Sequence, residues 1–322
     1  MSHTPNMPTR RIGKSNIEVS PIGCGCMGLS EFYGPVAEDE RRHVLRRALD
    51  LGVTHFDTAD MYGAGDNEVL VGRELHDVRS RVIIATKFGI VRSDGIRTLD
   101  GSAAYVRQAC EASLRRLKTD VIDILYLHRL DPNVPIEETV GAMARLVAEG
   151  KVRALGLSKI DVATLIRAEA VHPIAAVQMK YSLWTRDVED QLLEECRRRD
   201  VALIAYSPLG KGLLAGRVNP ADSFPVGDWR RTDLAFAPEA LAAKAALLRV
   251  LERVARDERC TLAQLGLAWL LSRGPGVLPI PGMRSIAQVE ENVAAAGVRL
   301  SAEALAAAEA CVPQLASPLN LH

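Results

Sequence analysis

Four residues in separate parts of the chain can together perform one kind of chemistry. Asp57 and Tyr62 lie in VTHFDTADMYG, Lys87 ends RVIIATK, and His128 ends VIDILYLH. A tyrosine hydroxyl can donate a proton to a carbonyl oxygen, and a neighbouring ammonium lowers the phenol pKa from about 10. Lys87 would supply that ammonium, Asp57 would keep it charged, and His128 would hydrogen-bond the reacting oxygen. The four residues therefore predict a site that reduces carbonyl groups.

Each of the four residues also has a structural interpretation. An aspartate at a strand end often caps a helix, and a single tyrosine often packs in a core. A lysine after a strand is often solvated, and a histidine within LYLHRLD is often a hydrogen-bonded core residue. The chemical interpretation depends on their joint position, because the strand ends of a repeated strand–helix architecture meet at one mouth.

The elements that would position these residues form a repeating series. Apolar, strand-like runs alternate with amphipathic segments; the eight runs are PIGCGCM, VTHFDT, RVIIATK, VIDILYLH, KVRALGLS, IAAVQMK, VALIAYS and GVLPIPG. Continuous apolar runs are typical of parallel strands covered on both faces. Eight such units in 322 residues favour an α/β fold, a single-domain (β/α)8 TIM barrel over residues 1–322, rather than an open doubly wound sheet. A short hairpin in RRIGKSNIEVS would precede the barrel, and extra helices would lie near its C-terminal end.

Glycines and one long irregular stretch mark the boundaries of this series. Gly52, Gly150 and Gly156 punctuate the units, and the first two lie where helix C-caps are expected. Residues 209–238 form the longest irregular stretch, and long loops on a barrel usually carry binding functions.

The segment from Gly23 to Gly28 matches the G-x-G-x-x-G pattern of dinucleotide-binding loops. That motif requires a helix to begin at its last glycine, so that backbone amides meet the pyrophosphate. Here Gly34 and Pro35 delay any helix to about Glu38. We therefore interpret these glycines as sites of close packing at the start of the barrel.

Composition limits the class of partner. Lys plus Arg equals Asp plus Glu at 40 each, so the molecule has no overall field that would attract nucleic acid or an anionic membrane. The six cysteines are scattered as in reduced intracellular proteins, and Cys24 with Cys26 lacks the ligand count for zinc. The polar start MSHTPNMPTR does not have the apolar core of a signal peptide, and no apolar stretch approaches a membrane-spanning length. We expect a cytoplasmic enzyme that binds no metal.

Longer segments carry a resemblance to a known family. FDTADMYGAGDNEVLVGREL, IIATKFG, DILYLHRLDP and PIPGMRSIAQVEEN resemble the aldo-keto reductase superfamily, and the likeness extends from the opening hairpin to Asn292. FYG, HRLDP and YSPLGKGLLAG are similar to the branch with potassium-channel β-like and bacterial aldehyde reductase members. The resemblance implies an NAD(P)H-dependent carbonyl reduction without metal or flavin, in which Tyr62 supplies the proton and Asp57, Lys87 and His128 support it.

The resemblance also implies where the cofactor binds. Ser158 and Gln178 match residues that hydrogen-bond the nicotinamide carboxamide, and Tyr206 matches the aromatic ring that stacks on the nicotinamide. The pyrophosphate loop corresponds to Ser207, Leu209, Gly210 and Gly212, and the adenosine end to Gly282, Arg284, Gln288, Glu291 and Asn292. Arg284 is placed to hold a 2′-phosphate, so NADPH is expected rather than NADH. Lys159 departs from the family, whose members commonly carry Asn or Glu there, and it receives no carboxamide contact.

The substrate pocket is expected around the mouth of the barrel. Its candidate wall residues are Phe32, Tyr33, Phe88, Arg129, Trp184, Phe224 and Trp229. Core packing explains the aromatic residues about as well. Arg129 beside His128 would favour a phosphate or carboxylate on the substrate, or else would pair with Asp131.

Three functional hypotheses remain open from the sequence. The first is a reductase of aldehydes or ketones, and the second is a regulatory protein of the channel β-subunit type that binds the cofactor and turns over slowly. The third is an open-sheet dehydrogenase that uses Gly23 to Gly28. The sequence does not select the physiological substrate, the reaction direction or the oligomeric state.

Overall fold

The backbone forms a closed barrel of parallel strands. The computed structural model describes residues 7–93, 96–216 and 224–311. Within these residues the strands are β1 (Arg10–Arg11), β2 (Glu18–Val19), β3 (Cys24–Gly25), β4 (His55–Asp57), β5 (Ile83–Phe88), β6 (Ile90–Ser93), β7 (Ile96–Leu99), β8 (Ile122–Leu127), β9 (Val152–Ser158), β10 (Ile174–Lys180), β11 (Ala202–Tyr206) and β12 (Val277–Pro279). Eight of them pair in the order β12-β11-β10-β9-β8-β5-β4-β3. The Gly23 amide donates to the Pro279 carbonyl and the Gly25 amide to the Pro281 carbonyl, both at 3.0 Å, which joins β3 to β12. The predicted (β/α)8 barrel is confirmed.

Helices follow the strands as the amphipathic segments predict. Those in the described residues are α1 (Glu38–Asp50), α2 (Asp66–Leu75), α3 (Ala103–Leu117), α4 (Ile136–Ala148), α5 (Val162–Glu169), α6 (Leu192–Arg199), α7 (Pro238–Asp257), α8 (Leu262–Ser272), α9 (Ile286–Ala294) and α10 (Ala302–Ala310). Ser102, Asp161 and Thr261 cap α3, α5 and α8 by accepting hydrogen bonds from backbone amides of the first turn. Gly52 and Gly150 end α1 and α4 with φ of 87° and 74°, the left-handed conformation expected of such caps.

The barrel interior is closed at one end by the N-terminal hairpin. Strands β1 and β2 pair antiparallel, as the sequence predicts. Ile12, Ile17 and Val19 of this hairpin are buried in one cluster with inward-facing residues such as Ile124 and Tyr126. Burial of this end leaves the carboxyl ends of the strands as the open mouth of the barrel.

The alternation of side chains along the strands brings polar groups to that mouth. Successive residues of a strand face opposite sides, so the interior of β9 is formed by Ala154, Gly156 and Ser158. The interior positions nearest the hairpin are mostly alanine, isoleucine or leucine. The last interior positions are polar: Asp57, Lys87, Ser158, Gln178 and Tyr206. The fold therefore positions the residues predicted to do chemistry on adjacent strand ends.

The glycines around β3 agree with the predictions from the sequence, whereas Gly156 and the β6–β7 hairpin differ from them. No helix begins after Gly28: a 3₁₀ segment covers Met27–Leu29 and α1 begins at Glu38, as predicted. A Cβ at Gly25 would lie 2.8 Å from the Ile280 carbonyl oxygen, which confirms close packing at the barrel seam. Gly156 is not a boundary, because it lies inside β9. The β6–β7 hairpin is not predicted by the sequence.

Part of the predicted binding loop falls outside the described residues. Of residues 209–238, the segment 217–223 is not described. The rest contains the 3₁₀ segments Gly210–Ala215, Trp229–Arg231 and Leu234–Phe236, and ends where α7 begins. The six cysteines are free thiols. Among the described residues no helix is long and apolar enough to cross a membrane, and no cluster of three or more His, Cys, Asp or Glu could hold a metal.

The small residue at position 156 is a packing requirement that can be tested. A Cβ at Gly156 would overlap the ring of Tyr126, which is buried beside it on β8. We expect Gly156→Ala to destabilise the protein by about 1–3 kcal/mol through overpacking, seen as a lower midpoint in urea. Gly141→Ala on α4 is the matched control, because a Cβ there meets nothing within 4 Å. It should raise stability by about 0.5–1 kcal/mol through helix propensity. Equal midpoints for the two variants would contradict this packing argument.

Candidate active site

A buried lysine is the centre of the polar cluster at the mouth. The Lys87 ammonium donates to Asp57 Oδ1 at 2.5 Å and to the Thr58 carbonyl oxygen at 2.7 Å, and it lies 3.5 Å from the Tyr62 hydroxyl. Its three N–H donors therefore each have an acceptor. Burial lowers the pKa of Lys87, but the Asp57 carboxylate and Tyr62 outweigh burial, so the pKa stands above its usual value. The lysine is charged at neutral pH.

The hydroxyl of Tyr62 is protonated in this setting. Burial raises the pKa of Tyr62, and the nearby Lys87 ammonium opposes this effect without reversing it. The expected net lowering of the tyrosine pKa is therefore wrong for the site without ligands. A phenol with a raised pKa still carries its proton at neutral pH, which is the state that a proton donor needs.

His128 faces Tyr62 across the same space. The two rings meet edge to face, with centroids 5.9 Å apart. Burial and the positive charges of Lys87, Lys159 and Arg129 hold the pKa of His128 well below its ordinary value, so the imidazole is neutral. Its Nδ1 atom is buried without a hydrogen-bond partner among the described residues. A neutral imidazole can donate one hydrogen bond to an oxygen in the cavity.

The side-chain amide of Gln178 holds Asp57 in place. Gln178 on β10 donates from Nε2 to Asp57 Oδ2 at 2.7 Å, so both oxygens of this carboxylate are occupied. The Ser158 hydroxyl donates to the backbone carbonyl oxygen of Gln178 at 3.0 Å. Of the two residues predicted from the resemblance to hold a carboxamide, Gln178 therefore contacts the Asp57–Lys87 pair directly, and Ser158 contacts Gln178.

The loop that carries Tyr62 is fixed by residues that the sequence reasoning did not single out. Asn67 accepts from the Thr58 hydroxyl at 2.6 Å and donates to the Cys26 carbonyl at 2.9 Å. Glu31 accepts from the Gly63 amide at 3.0 Å and from Arg92 at 2.6 Å. Arg92 also donates to the Met61 carbonyl oxygen at 2.9 Å. The only sequence signal was the position of Asn67 within the quoted FDTADMYGAGDNE segment.

These groups open into a cavity of about 750 Å³. Of the four leading residues, Asp57, Tyr62 and His128 line it, while Lys87 lies behind them. The predicted cofactor residues that line the cavity are Ser158, Gln178, Tyr206, Ser207, Leu209, Gly212, Gly282, Arg284, Gln288, Glu291 and Asn292. Gly210 is adjacent to this lining and is not part of it.

The predicted substrate residues divide into two groups. Phe32, Tyr33, Arg129 and Trp229 line the cavity. Phe88 and Trp184 do not, because both are buried in the main hydrophobic core. The Trp229 amide donates to the Phe32 carbonyl at 2.9 Å, so the segment after residue 223 is joined to the loop after β3. Phe224 packs against Phe236 with ring centroids 5.7 Å apart and supports that segment.

The residues around the cavity fit a nicotinamide dinucleotide. A Cβ at Gly282 would meet nothing within 4 Å, so the cavity has open space at the position predicted for the adenosine end. Lys211 and Gly212 adopt φ of 61° and 104° in the loop after β11, a conformation that turns the backbone sharply around the cavity. The Tyr206 ring offers a flat face, and the Lys159 ammonium lies 5.3 Å from its centroid.

Arg284 is already engaged with the backbone across the cavity. It donates from Nε to the Gly28 carbonyl at 3.1 Å, and from Nη2 to those of Gly34 and Pro35 at 3.0 and 3.2 Å. The Gln288 side chain accepts from the Arg284 amide at 2.8 Å. Arg284 thus fastens the loop after β3 to the start of α9, and burial lowers its pKa.

Comparisons with known proteins agree with this arrangement. The model of the Aldo/keto reductase family matches residues 21–313. A protein described as probable aldo-keto reductase 1 from Glycine max is 42% identical over 294 residues, covering 90% of this chain and 85% of the relative. The glycerol dehydrogenase of Gluconobacter oxydans superposes with a TM-score of 0.88 at 28% identity, over 98% of this chain and 99% of that one.

A second solved structure carries the cofactor. The aldo/keto reductase of Klebsiella pneumoniae, in complex with NADP and acetate, matches with a TM-score of 0.73 at 32% identity, over 94% of this chain and 95% of that one. The family model covers most of the chain, and the barrel and its polar mouth agree with it. The chain therefore belongs to the aldo/keto reductase family of NAD(P)H-dependent oxidoreductases.

Proposed function

We propose that this protein reduces an aldehyde or ketone to an alcohol with NADPH, and that Tyr62 is the proton donor. The observation that carries the proposal is the Tyr62 hydroxyl, which lines the cavity and lies 3.5 Å from an ammonium held by Asp57. When bound, the nicotinamide would supply the hydride to the carbonyl carbon. Ser158, Gln178 and Tyr206 would hold that ring, because they combine amide-compatible polar groups with an aromatic face.

The chain's own residues would manage the proton and the developing charge. Tyr62 would transfer its hydroxyl proton to the carbonyl oxygen, which becomes the alcohol oxygen, and the phenolate left behind would face the Lys87 ammonium. A charge of opposite sign in a site shielded from water stabilises that phenolate more than bulk water would. Neutral His128 would donate a hydrogen bond to the same carbonyl oxygen and orient it. Asp57 would keep the lysine in position, and Gln178 would hold the other oxygen of Asp57.

The preference for NADPH rests on the adenosine end. Arg284 and Gln288 lie at the start of α9 and line the cavity. Arg284 donates through Nε and Nη2 to backbone carbonyls, so its remaining guanidinium N–H groups would serve a 2′-phosphate. NADH lacks that phosphate, so these N–H groups would not contribute to its binding.

Removal of the Tyr62 hydroxyl tests the proton donor. We expect Tyr62→Phe to lower kcat by about 10²- to 10⁴-fold with aldehyde substrates, since a general acid acts only in the transition state. NADPH affinity, measured by quenching of protein fluorescence, should hardly change. Tyr105→Phe on α3 is the matched control, because Tyr105 lies outside the cavity lining. Turnover of Tyr62→Phe close to that of the unchanged enzyme would refute the assignment.

The 2′-phosphate contact predicts a cofactor-specific loss. Arg284→Ala should weaken NADPH more than NADH, by about 1.5–3 kcal/mol of differential binding, as for hydrogen bonds to charged groups. Both cofactors would share any loss caused by release of the loop after β3, so the ratio of their dissociation constants isolates the phosphate contact. The measurement is isothermal titration of each cofactor. An equal loss for NADPH and NADH would assign Arg284 to loop fastening alone.

A further inference from the structure

The cavity wall carries more positive charge than its own carboxylates balance. Its lining includes two carboxylates, Asp57 and Glu291, and Asp57 already serves Lys87 and Gln178. The lining cations are Arg97, Arg129, Lys159, Lys211, Arg230 and Arg284. Lys159, Lys211, Arg230 and Arg284 are half-buried, and a charge withdrawn from water needs a counter-charge, whereas Arg97 and Arg129 are exposed at the rim of the cavity.

Arg97 lies over the Phe32 ring, with its guanidinium carbon 5.6 Å from the ring centroid. Three other cations have polar partners that the structure identifies. Lys211 pairs with Asp233 at 3.1 Å, and Arg230 pairs with the buried Asp228 at 2.6 Å. Arg284 donates to the carbonyl oxygens of the loop after β3. These three residues are held by the protein itself or lie at the predicted adenosine and pyrophosphate ends.

Arg129 and Lys159 have no ion pair or hydrogen bond from their side chains to any described residue. The alternative partner for Arg129 was Asp131, and the structure assigns that carboxylate elsewhere. Asp131 accepts from the backbone amides of Gly101 at 3.1 Å and Asn133 at 2.9 Å. The one close contact of the Lys159 ammonium is with the Tyr206 ring, 5.3 Å from its centroid.

Arg129 and Lys159 follow neighbouring strand ends, next to the reacting groups. Leu127 and Leu157 are paired on the neighbouring strands β8 and β9, and Arg129 and Lys159 each follow that pair by two residues. Arg129 is adjacent to His128 in the chain, and Lys159 is adjacent to Ser158. Both are thus at the carbonyl end of the cavity, and Arg284 is at the other end.

The Lys159 side chain is half-buried among other cations. Burial is the largest cause that lowers the pKa of Lys159, to about 8, and the next contributions come from Arg129, Lys87, Lys211 and Lys180, all of them cations. Lys159 also adopts φ of 56°, a left-handed conformation that costs a non-glycine residue about 1–2 kcal/mol. Strain of this kind persists where a side chain has to be aimed at a particular place.

We propose that the substrate of this enzyme is an anionic carbonyl compound, an aldehyde or ketone bearing a carboxylate or phosphate group that Arg129 and Lys159 bind together. This inference rests on the proposed reductase function and names its substrate class. Arg129 supplies a fork that fits either anion in a bidentate contact, and Lys159 supplies a half-buried point charge. The anion would supply a counter-charge to half-buried Lys159 while His128 and Tyr62 receive the carbonyl.

Aldehydes matched in shape and differing in charge test the proposal. The substrates are 4-carboxybenzaldehyde and its neutral methyl ester, with 4-formylphenyl phosphate as the phosphate arm. We expect kcat/KM to favour an anionic substrate over the ester by about 10- to 100-fold, the range for hydrogen bonds to charged groups. Whichever of the two anionic aldehydes has the larger kcat/KM relative to the ester shows whether the site prefers a carboxylate or a phosphate.

Charge-removing variants locate the effect. Arg129→Gln and Lys159→Gln should each reduce the anionic-to-neutral ratio by about tenfold, and Arg129→Lys should retain part of it. Arg81→Gln is the control, since Arg81 is an exposed cation that precedes β5 at the far end of the barrel. A ratio near one for the unchanged enzyme, or a ratio that neither variant alters, overturns the proposal.

A binding measurement separates this proposal from the proposed function. Calorimetric titration of 4-(hydroxymethyl)benzoate into the NADP-loaded protein measures the anion site without turnover. Weaker binding to both Gln variants supports the site, and equal binding to all proteins overturns it. If none of the three aldehydes is reduced, the reductase assignment fails for these substrates, and the titration still decides whether the two cations bind an anion.

Discussion

A charged lysine buried inside the barrel determines what its neighbours must do. Lys87 is fully buried, and leaving such a charge without a partner costs several kcal/mol. Asp57 and the Thr58 carbonyl meet two of its donors, and the Tyr62 hydroxyl faces the third at 3.5 Å. These residues come from β4, β5 and the loop after β4, and Gln178 adds β10. Closure of the barrel is what brings strands so distant in sequence to within hydrogen-bond distance, so the polar cluster and the fold depend on each other.

The barrel was predictable because its strands and helices have strong periodic patterns, while its exceptions lack such patterns. The β6–β7 hairpin carries little core signal, since Ile96 and Leu99 of β7 are exposed, and β6 and β7 pair only with each other. Glycine commonly ends an element, so the sequence predicts a boundary at Gly156, whereas Gly156 lies inside β9. The structure shows that the Tyr126 ring fills the space of its side chain. Such a contact depends on how side chains of neighbouring strands pack, and the spacing of residues in the sequence does not show which of them will meet.

The sequence predicts which residues lie at the candidate site, but it does not predict the pKa values of their side chains. The strand ends and the family resemblance identified the four leading residues and most of the cavity wall. Alternation along β5 could have excluded Phe88, because Lys87 faces the interior and the next residue must face the helices. The direction of the Tyr62 pKa shift could not be predicted from the sequence. Burial raises this pKa and the Lys87 charge lowers it, and the larger effect depends on how deeply the hydroxyl is buried.

The positive charges of the cavity wall act on one another as well as on ligands. Burial, followed by the charges of Lys87, Lys159 and Arg129, disfavours protonation of His128 and keeps its imidazole neutral. The same charges would stabilise a phenolate at Tyr62, which lies within 3.5 Å of one of them. An anionic group bound between Arg129 and Lys159 would reduce their part of this field and leave Lys87, which is held by Asp57, as the main support of the phenolate. Because Asp57 holds Lys87 inside the barrel, the nearest charge to the phenolate would stay in place when the substrate brings an anionic group to the mouth.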